Sequence, residues 1–299
     1  MQIKITAENA GKRLDKFLTE KLKKISRSQI QKQIKNNLVV VNGKKVAVHY
    51  FIKKEDKIKI ANQKQEVKKI KNNVLIKKIK IIEDNNDYLV INKPAGLLTH
   101  PDNIHNEVTL LDWAIKKYPE SKIVHRLDRD VSGLLIIAKN KKTYEYFKKI
   151  FQERKINKIY HAIVHGEIKP DQGIIDRPIT RSKKTGCMVA KSTIDLKAKP
   201  SITEFEVLKR FKNYTFLKIN LRTGRTHQIR VHLSSIGHSI IGDILYKTKN
   251  IKSQNETYIK RLFLVATELN FEDPDKKTQK FEIKIPRELA YFLKNLQPL

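Results

Sequence analysis

The reading of this chain turns on His125-Arg126-Leu127-Asp128-Arg129-Asp130-Val131-Ser132-Gly133-Leu134-Leu135. Carboxylates stand among arginines immediately ahead of an apolar run, Leu134-Leu135-Ile136-Ile137-Ala138. Ser132-Gly133 can close the charged turn, and the run that follows has the length and composition of a buried strand. An acid at the mouth of a core, beside guanidinium groups, is favoured in its charged form. Asp128 is therefore a candidate nucleophile or base. The plainer alternative is an ion-paired loop acid that only fixes a turn, since most such pairs are minor structural features.

Composition narrows the function class. The 299 residues suffice for about two domains with a real core. Apolar residues make up 39% and charged residues 31%, a folded rather than a disordered balance. The formal net charge of +32 points to a polyanionic partner, with nucleic acid first. Only 13 of the 63 basic residues are arginine, and the chain is rich in Ile and Asn, a bias that an AT-rich genome produces. Where lysine is the default cation, arginine persists where a planar forked donor matters. Five arginines, Arg126, Arg129, Arg222, Arg225 and Arg230, fall in two short segments. Cys187 is the single cysteine, so no intramolecular disulfide or thiolate metal site is expected and a reducing compartment fits. Met1-Gln2-Ile3-Lys4-Ile5 lacks a signal-peptide core, and no apolar run nears the roughly 20 residues of a membrane span. A cytoplasmic location is expected.

Residues 1–62 read as a small basic head. Leu14, Phe17, Leu18 and Leu22 have helical spacing, and Ser26 with Gln29 suggests a capping box for a second helix buried through Ile30 and Ile34. Arg27, Lys32 and Lys35 would line its exposed face. Leu38-Val39-Val40-Val41 followed by Asn42-Gly43 predicts a hairpin, and Lys57–Ile60 alternates as a strand. Residues 63–79 read as a basic linker, and residues 80–299 as a strand-rich catalytic domain. Helices are expected near 107–118 and 143–153, and strands near 88–91, 134–138, 158–165, 203–209, 214–221, 262–271 and 280–284. Residues 181–200 read as a mobile insertion. The fold class is α+β, with a mixed, mainly antiparallel sheet and flanking helices behind the head.

Four motifs carry a family resemblance. His125–Gly133 resembles the HRLDxxTSG signature of the RluA family of pseudouridine synthases, with Val131 where Thr is usual. Asn92-Lys93-Pro94-Ala95-Gly96-Leu97, Lys158-Ile159-Tyr160, and Leu221-Arg222-Thr223-Gly224-Arg225-Thr226-His227-Gln228-Ile229-Arg230 resemble its other motifs in the family's order. The head is similar to the S-four-type RNA-binding domain through Arg13-Leu14-Asp15, Ser26-Arg27-Ser28 and Val41-Asn42-Gly43, with Asn37 in place of a turn glycine. The opening residues and Arg129-Asp130 look closest to the RluC-type subgroup, which acts on large-subunit (23S) ribosomal RNA.

The resemblance implies a catalytic role for Asp128, stacking of Tyr160 on a flipped uracil, and an Arg225 guanidinium paired with Asp128. It implies that Arg126 fills the space the flipped base leaves. Lys93, His227, Arg27 and Lys32 are expected RNA contacts. No cofactor and no metal are expected: no glycine-rich nucleotide loop is visible, and His227 and His232 are five residues apart, a poor shared helical face. The partner is ribosomal RNA, with no membrane and no nucleotide cofactor, and the chain is expected to act as a monomer. The alternatives that the sequence leaves open are another structured RNA such as tRNA, a silent ribosome-associated RNA-binding protein, and a metal-dependent nuclease.

Overall fold

The computed structural model describes residues 2–22, 27–35, 37–60, 74–102, 107–191, 197–247, 259 and 261–299. The chain divides into two compact units, residues 1–66 and 67–299.

In the first unit, β1 (Gln2–Lys4) precedes α1 (Leu14–Lys21) and α2 (Arg27–Lys35), followed by β2 (Val39–Val41), β3 (Lys44–Lys45) and β4 (Lys57–Ile60). The strands form an antiparallel sheet in the order β1-β4-β2-β3. Leu14, Phe17 and Leu18 of α1 and Ile30 and Ile34 of α2 meet Val39, Val41 and Ile58 in one core, as their spacing requires. Asn42 and Gly43 both take positive φ (52° and 76°), which matches the twist of a two-residue hairpin. Asn37 likewise stands at φ 59°, doing the work of a turn glycine. The expected cap at Ser26 lies outside the described residues.

The second unit holds β5 (Lys80–Asp84), β6 (Tyr88–Lys93), α3 (Leu110–Lys117), β7 (Lys122–Ile123), β8 (Ser132–Ala138), α4 (Lys141–Gln152), β9 (Asn157–His165), β10 (Gln172–Asp176), β11 (Ile179–Arg181) and β12 (Met188–Ala190). It continues through β13 (Ile202–Phe211), β14 (Tyr214–Leu221), α5 (Gln228–Ser235), β15 (Leu264–Glu272), β16 (Thr278–Glu282) and α6 (Arg287–Lys294). Ten strands form one sheet in the order β10-β13-β14-β9-β15-β8-β6-β5, with β16 on β15 and β7 on β8. Among the described strands only β15 and β8 run parallel.

The sheet is covered on both faces, so β8 is buried along its whole length and reads as a continuous apolar run. Leu135 and Ile137 enter one core with Tyr160, Ala162, Leu217 and Phe263; Leu134 and Ile136 enter the other with Tyr88, Phe147 and Phe271. Asn140 starts α4 by accepting a hydrogen bond from the Thr143 amide at 2.9 Å, and Phe147 then reaches the sheet. Gly133 pairs with Ala266, and a Cβ there would lie 2.1 Å from the Ala266 carbonyl oxygen. Glycine is therefore what lets β15 approach β8.

Of the expected linker, residues 63–73 lie outside the described residues, and Leu75, Ile76 and Ile79 pack on the core of the second unit. The segment 181–200, read as an insertion, carries β12 in antiparallel register with β11. The sequence reading did not anticipate α5 or α6. No described helix is long and apolar enough to cross a membrane.

Candidate active site

Asp128 lies in the loop that leads into β8. Its carbonyl accepts from the Val131 amide at 3.2 Å, and the Leu127 carbonyl accepts from the Thr99 hydroxyl at 2.6 Å. Gly96 N–H donates to the Arg129 carbonyl at 2.7 Å, and Arg129 returns a bond from Nε to the Gly96 carbonyl at 3.2 Å. The buried Lys93 completes this clamp. Its Nζ donates to the carbonyls of Pro94 (3.1 Å), Leu97 (2.8 Å) and Arg129 (3.2 Å). Burial pushes the Lys93 ammonium down to about 7, against the opposing pull of Asp128 and Asp130. His125 is also structural: its Nε2 accepts from the Ile136 amide at 3.0 Å, its ring packs on Phe151, and burial pushes it down to about 3.

Opposite this loop stands the turn into α5. Gln228 locks it: its Oε1 accepts from the Thr223 hydroxyl (2.8 Å) and the Arg225 amide (3.0 Å), while its Nε2 donates to the Ile202 carbonyl (2.9 Å) and the Thr203 hydroxyl (3.0 Å). The turn closes with His227 in the left-handed region at φ 55°, and α5 begins at the next residue. Arg230, in the first turn of α5, forks onto Asp243 through Nε (2.7 Å) and Nη2 (2.8 Å), and both side chains are buried. Its Nη1 stands 3.6 Å from Asp128 Oδ2, and His227 Nε2 stands 3.9 Å from the same oxygen.

Asp128, Tyr160, Arg126, Arg225, His227 and Arg230 line one small cleft of about 60 Å³. Tyr160 reaches it from β9. Burial, and then the Asp128 charge, push its phenol well above the usual range, so it stays protonated. A larger groove of about 1590 Å³ is bounded by Lys80, Asn92, Ser132, Arg261 and Glu282; it touches Arg230, but Asp128 and Tyr160 do not line it. The chemistry that the side chains permit lies in the small cleft: a carboxylate, a protonated phenol, an imidazole and a guanidinium line it together.

A family model described as RNA pseudouridylate synthase matches residues 87–235, and an S4 domain model matches residues 12–58. The chain is 35% identical to the uncharacterized RNA pseudouridine synthase YlyB of Bacillus subtilis (strain 168), over 99% of this chain and 98% of that one. It belongs to the RNA pseudouridylate synthase family. Other similar proteins are the ribosomal large subunit pseudouridine synthase D of Buchnera aphidicola subsp. Acyrthosiphon pisum (34%, 95% of this chain and 94% of that one) and synthase C of Buchnera aphidicola subsp. Schizaphis graminum (33%, 99% and 96%). The solved structure of human RNA pseudouridylate synthase domain containing 4 aligns with a TM-score of 0.62 at 25% identity, covering 75% of this chain and 96% of that one. The pseudouridine synthase is thus an RNA-modifying isomerase with an S4 unit at its N-terminal end.

Not every expected residue stands where the motif suggested. Arg225 does not pair with Asp128. It is exposed and donates from Nε to the Pro200 carbonyl at 3.3 Å, while Arg230 is the guanidinium at the carboxylate. The helix begins between the two, so Arg225 belongs to the turn and Arg230 to the first turn of α5. Lys93 is no RNA contact, because it is buried and its ammonium is committed to three carbonyls. Arg27 spends its fork on the buried Asp15, with Nε and Nη2 each 3.0 Å from Oδ2. Burial alone would raise Asp15, but hydrogen bonds from Arg13, Gln31 and Arg27 hold it well below the carboxylate range. Arg27 therefore ties α2 to α1, leaving about half of its side chain exposed. Lys32 lies on α2, and its side chain is outside the described residues.

Arg126 is exposed at the rim of the cleft, and its charge adds to burial in pushing His100 down. His232 is separate from His227: its Nε2 donates to the Arg177 carbonyl and its Nδ1 accepts from the Thr203 hydroxyl, each at 2.9 Å. The sequence assigns no role to Asp243, which stands only at the end of the last motif, and does not single out Tyr246. The tyrosine ring lies 5.0 Å from the Arg230 guanidinium, and its hydroxyl is 2.8 Å from His227 Nδ1.

Proposed function

We propose that this enzyme isomerises specific uridines of large-subunit (23S) ribosomal RNA to pseudouridine, with Asp128 as the catalytic carboxylate. The observation that carries this reading is the convergence of Asp128, Tyr160 and Arg230 on one cleft in a chain of this family. Two similar proteins named for the large ribosomal subunit, at 34% and 33% identity over nearly the whole chain, support the substrate class. The net charge of +32 and the S4 unit suit a structured RNA.

The reaction breaks the bond from the ribose to uracil N1, turns the ring, and joins C5 to the anomeric carbon. The C5 proton leaves and N1 gains one, so atoms balance and nothing is oxidised. No nicotinamide or nucleoside triphosphate is required. Asp128 can attack the anomeric carbon, add to the uracil, or remove the ribose 2′ proton. The base must first leave its stack, at a cost of about a few kcal/mol. Arg126 at the rim offers a planar cation to fill the vacated space. Tyr160 offers a face to the extruded uracil and a protonated hydroxyl near C5. The reading has the enzyme working as a monomer in the cytoplasm.

The test is to map pseudouridines across the ribosomal RNA of cells lacking the protein, complemented with the parent or with Asp128→Asn. One or more 23S positions should revert to uridine and be restored only by the parent. Purified Asp128→Asn should bind a 23S transcript within about twofold of the parent and turn none over. Restoration by Asp128→Asn ends the catalytic assignment. Changes confined to tRNA end the substrate assignment.

A further inference from the structure

We infer that Tyr246 is a positioning residue that fixes the tautomer of His227, so that the ring presents Nε2–H to the Asp128 carboxylate. The consequence for turnover rests on the reading of Asp128 above; the tautomer itself does not.

Tyr246 is held from two sides. Its amide donates to Asp243 Oδ1 at 3.1 Å, alongside the Leu245 amide at 2.9 Å, and its carbonyl accepts from the Ser234 hydroxyl on α5 at 2.8 Å. A phenol has one proton to give. The Tyr246 oxygen already accepts from the Met188 amide of β12 at 3.2 Å, and an amide can only donate. His227 Nδ1 lies 2.8 Å away and, among the described residues, is the acceptor in reach for the hydroxyl proton. With the hydroxyl proton given to Nδ1, that nitrogen is the bare one, and in a neutral ring the proton sits on Nε2. The far end of the ring agrees: Nε2 faces Asp128 Oδ2 across 3.9 Å, and a carboxylate accepts but does not donate.

Two further observations fit. His227 sits at φ 55°, a conformation that costs a side-chain-bearing residue about 1–2 kcal/mol and is retained here where it aims the ring between Tyr246 and Asp128. Burial pushes His227 down, with Arg230 and Arg126 adding to it and Asp128 and Asp243 opposing, which keeps the ring neutral near pH 7. The same tyrosine ring lies against Arg230, so one residue sets both nitrogen groups that flank the carboxylate. The β11–β12 hairpin thereby contributes a main-chain donor to the site from outside the sheet.

The experiment uses the full chain labelled with ¹⁵N-histidine at pH 7. Long-range ¹H–¹⁵N correlation identifies the protonated nitrogen of each ring, and His227→Gln assigns the His227 signals. The parent should show His227 as the Nε2–H tautomer, and Tyr246→Phe should shift it to a mixture. With a 23S transcript as substrate, Tyr246→Phe should lower kcat about five- to tenfold and leave KM within about twofold, the loss expected for one positioning hydrogen bond. A parent ring protonated on Nδ1 overturns the proposal, as does a Tyr246→Phe protein that keeps Nε2–H and the parent kcat. Should the variant not fold, the parent spectrum decides alone. An active Asp128→Asn would sink the catalytic reading while leaving the tautomer result intact.

Discussion

Replacing Arg230 with methionine separates the two duties of this guanidinium. The side chain is 4% exposed and bridges a fully buried Asp243 and the cleft acid Asp128. Methionine fills much of the volume but removes both bonds to Asp243. Asp243 Oδ1 keeps the amides of Leu245 and Tyr246; Oδ2 loses its donor among the described residues. Stranding a buried charge in this way costs about 3–5 kcal/mol. The pH dependence carries its own sign. In the parent, burial tends to raise Asp243, but the hydrogen bonds and charge of Arg230 more than offset it and hold the group below its usual value. Its contribution is therefore present above the unfolded value, about 3.9, and lost as pH falls through the lower folded value. Without Arg230 the burial effect dominates and the folded value rises above 3.9. Arg230→Met should then be about 3–5 kcal/mol less stable than the parent at pH 7, and the gap should narrow toward pH 5. Urea unfolding followed by the fluorescence of the single tryptophan, Trp113 in α3, reports the second unit. Adding Asp243→Asn should recover a large part of the stability but none of the turnover. A gap under about 1 kcal/mol at pH 7, or one that widens toward pH 5, refutes the argument.

Two further outcomes test the loop and the sheet. Lys93→Met should cost about 2–4 kcal/mol, because three carbonyls lose their donor. The parent should also gain stability between about pH 7 and 10, where the unfolded lysine still holds the proton that the folded one has released; urea midpoints at pH 7 and 9 should show this rise in the parent and not in Lys93→Met. Gly133→Ala places a methyl 2.1 Å from the Ala266 carbonyl at φ +127°, so β15 and β8 must part. A loss above about 3 kcal/mol, or insoluble protein, is expected, and a soluble variant with the parent urea midpoint would contradict it.

The fold was legible wherever one local signal sufficed. The period-two and continuous apolar runs located most strands of the large sheet, and β14 was read residue for residue as 214–221. Helices α1 to α4 followed from apolar spacing. Helix α5 escaped because Arg230 and His232 are buried along with its apolar residues, so no polar face betrays the period. The site was legible to the level of motifs. Asp128 and Tyr160 stand in one cleft, but linear spacing does not tell which arginine of the Arg222–Arg230 segment reaches the acid. That choice depends on where the turn ends and α5 begins. The signal that could have singled out Arg230 is Asp243, thirteen residues on, a lone acid in the apolar stretch Ile240-Ile241-Gly242-Asp243-Ile244-Leu245 that demands a buried cation. Lys93 carried a similar hint at the end of Tyr88-Leu89-Val90-Ile91, a run fit for burial rather than for meeting phosphate.

The two walls of the cleft are of unequal stiffness. The Asp128 wall runs directly into β8, whose residues 134–138 have no exposed surface, so its amides can exchange with solvent only when the whole unit opens. The facing wall, Arg222 to His227, includes the exposed Arg222, Gly224 and Arg225 and is held through individual side chains, Gln228 on Thr223 and Arg225, Arg222 on Glu204, and His227 on Tyr246, rather than by a strand ladder. Admission of a bulky guest therefore falls to the arginine-bearing turn, while the acid waits on a nearly immobile anvil.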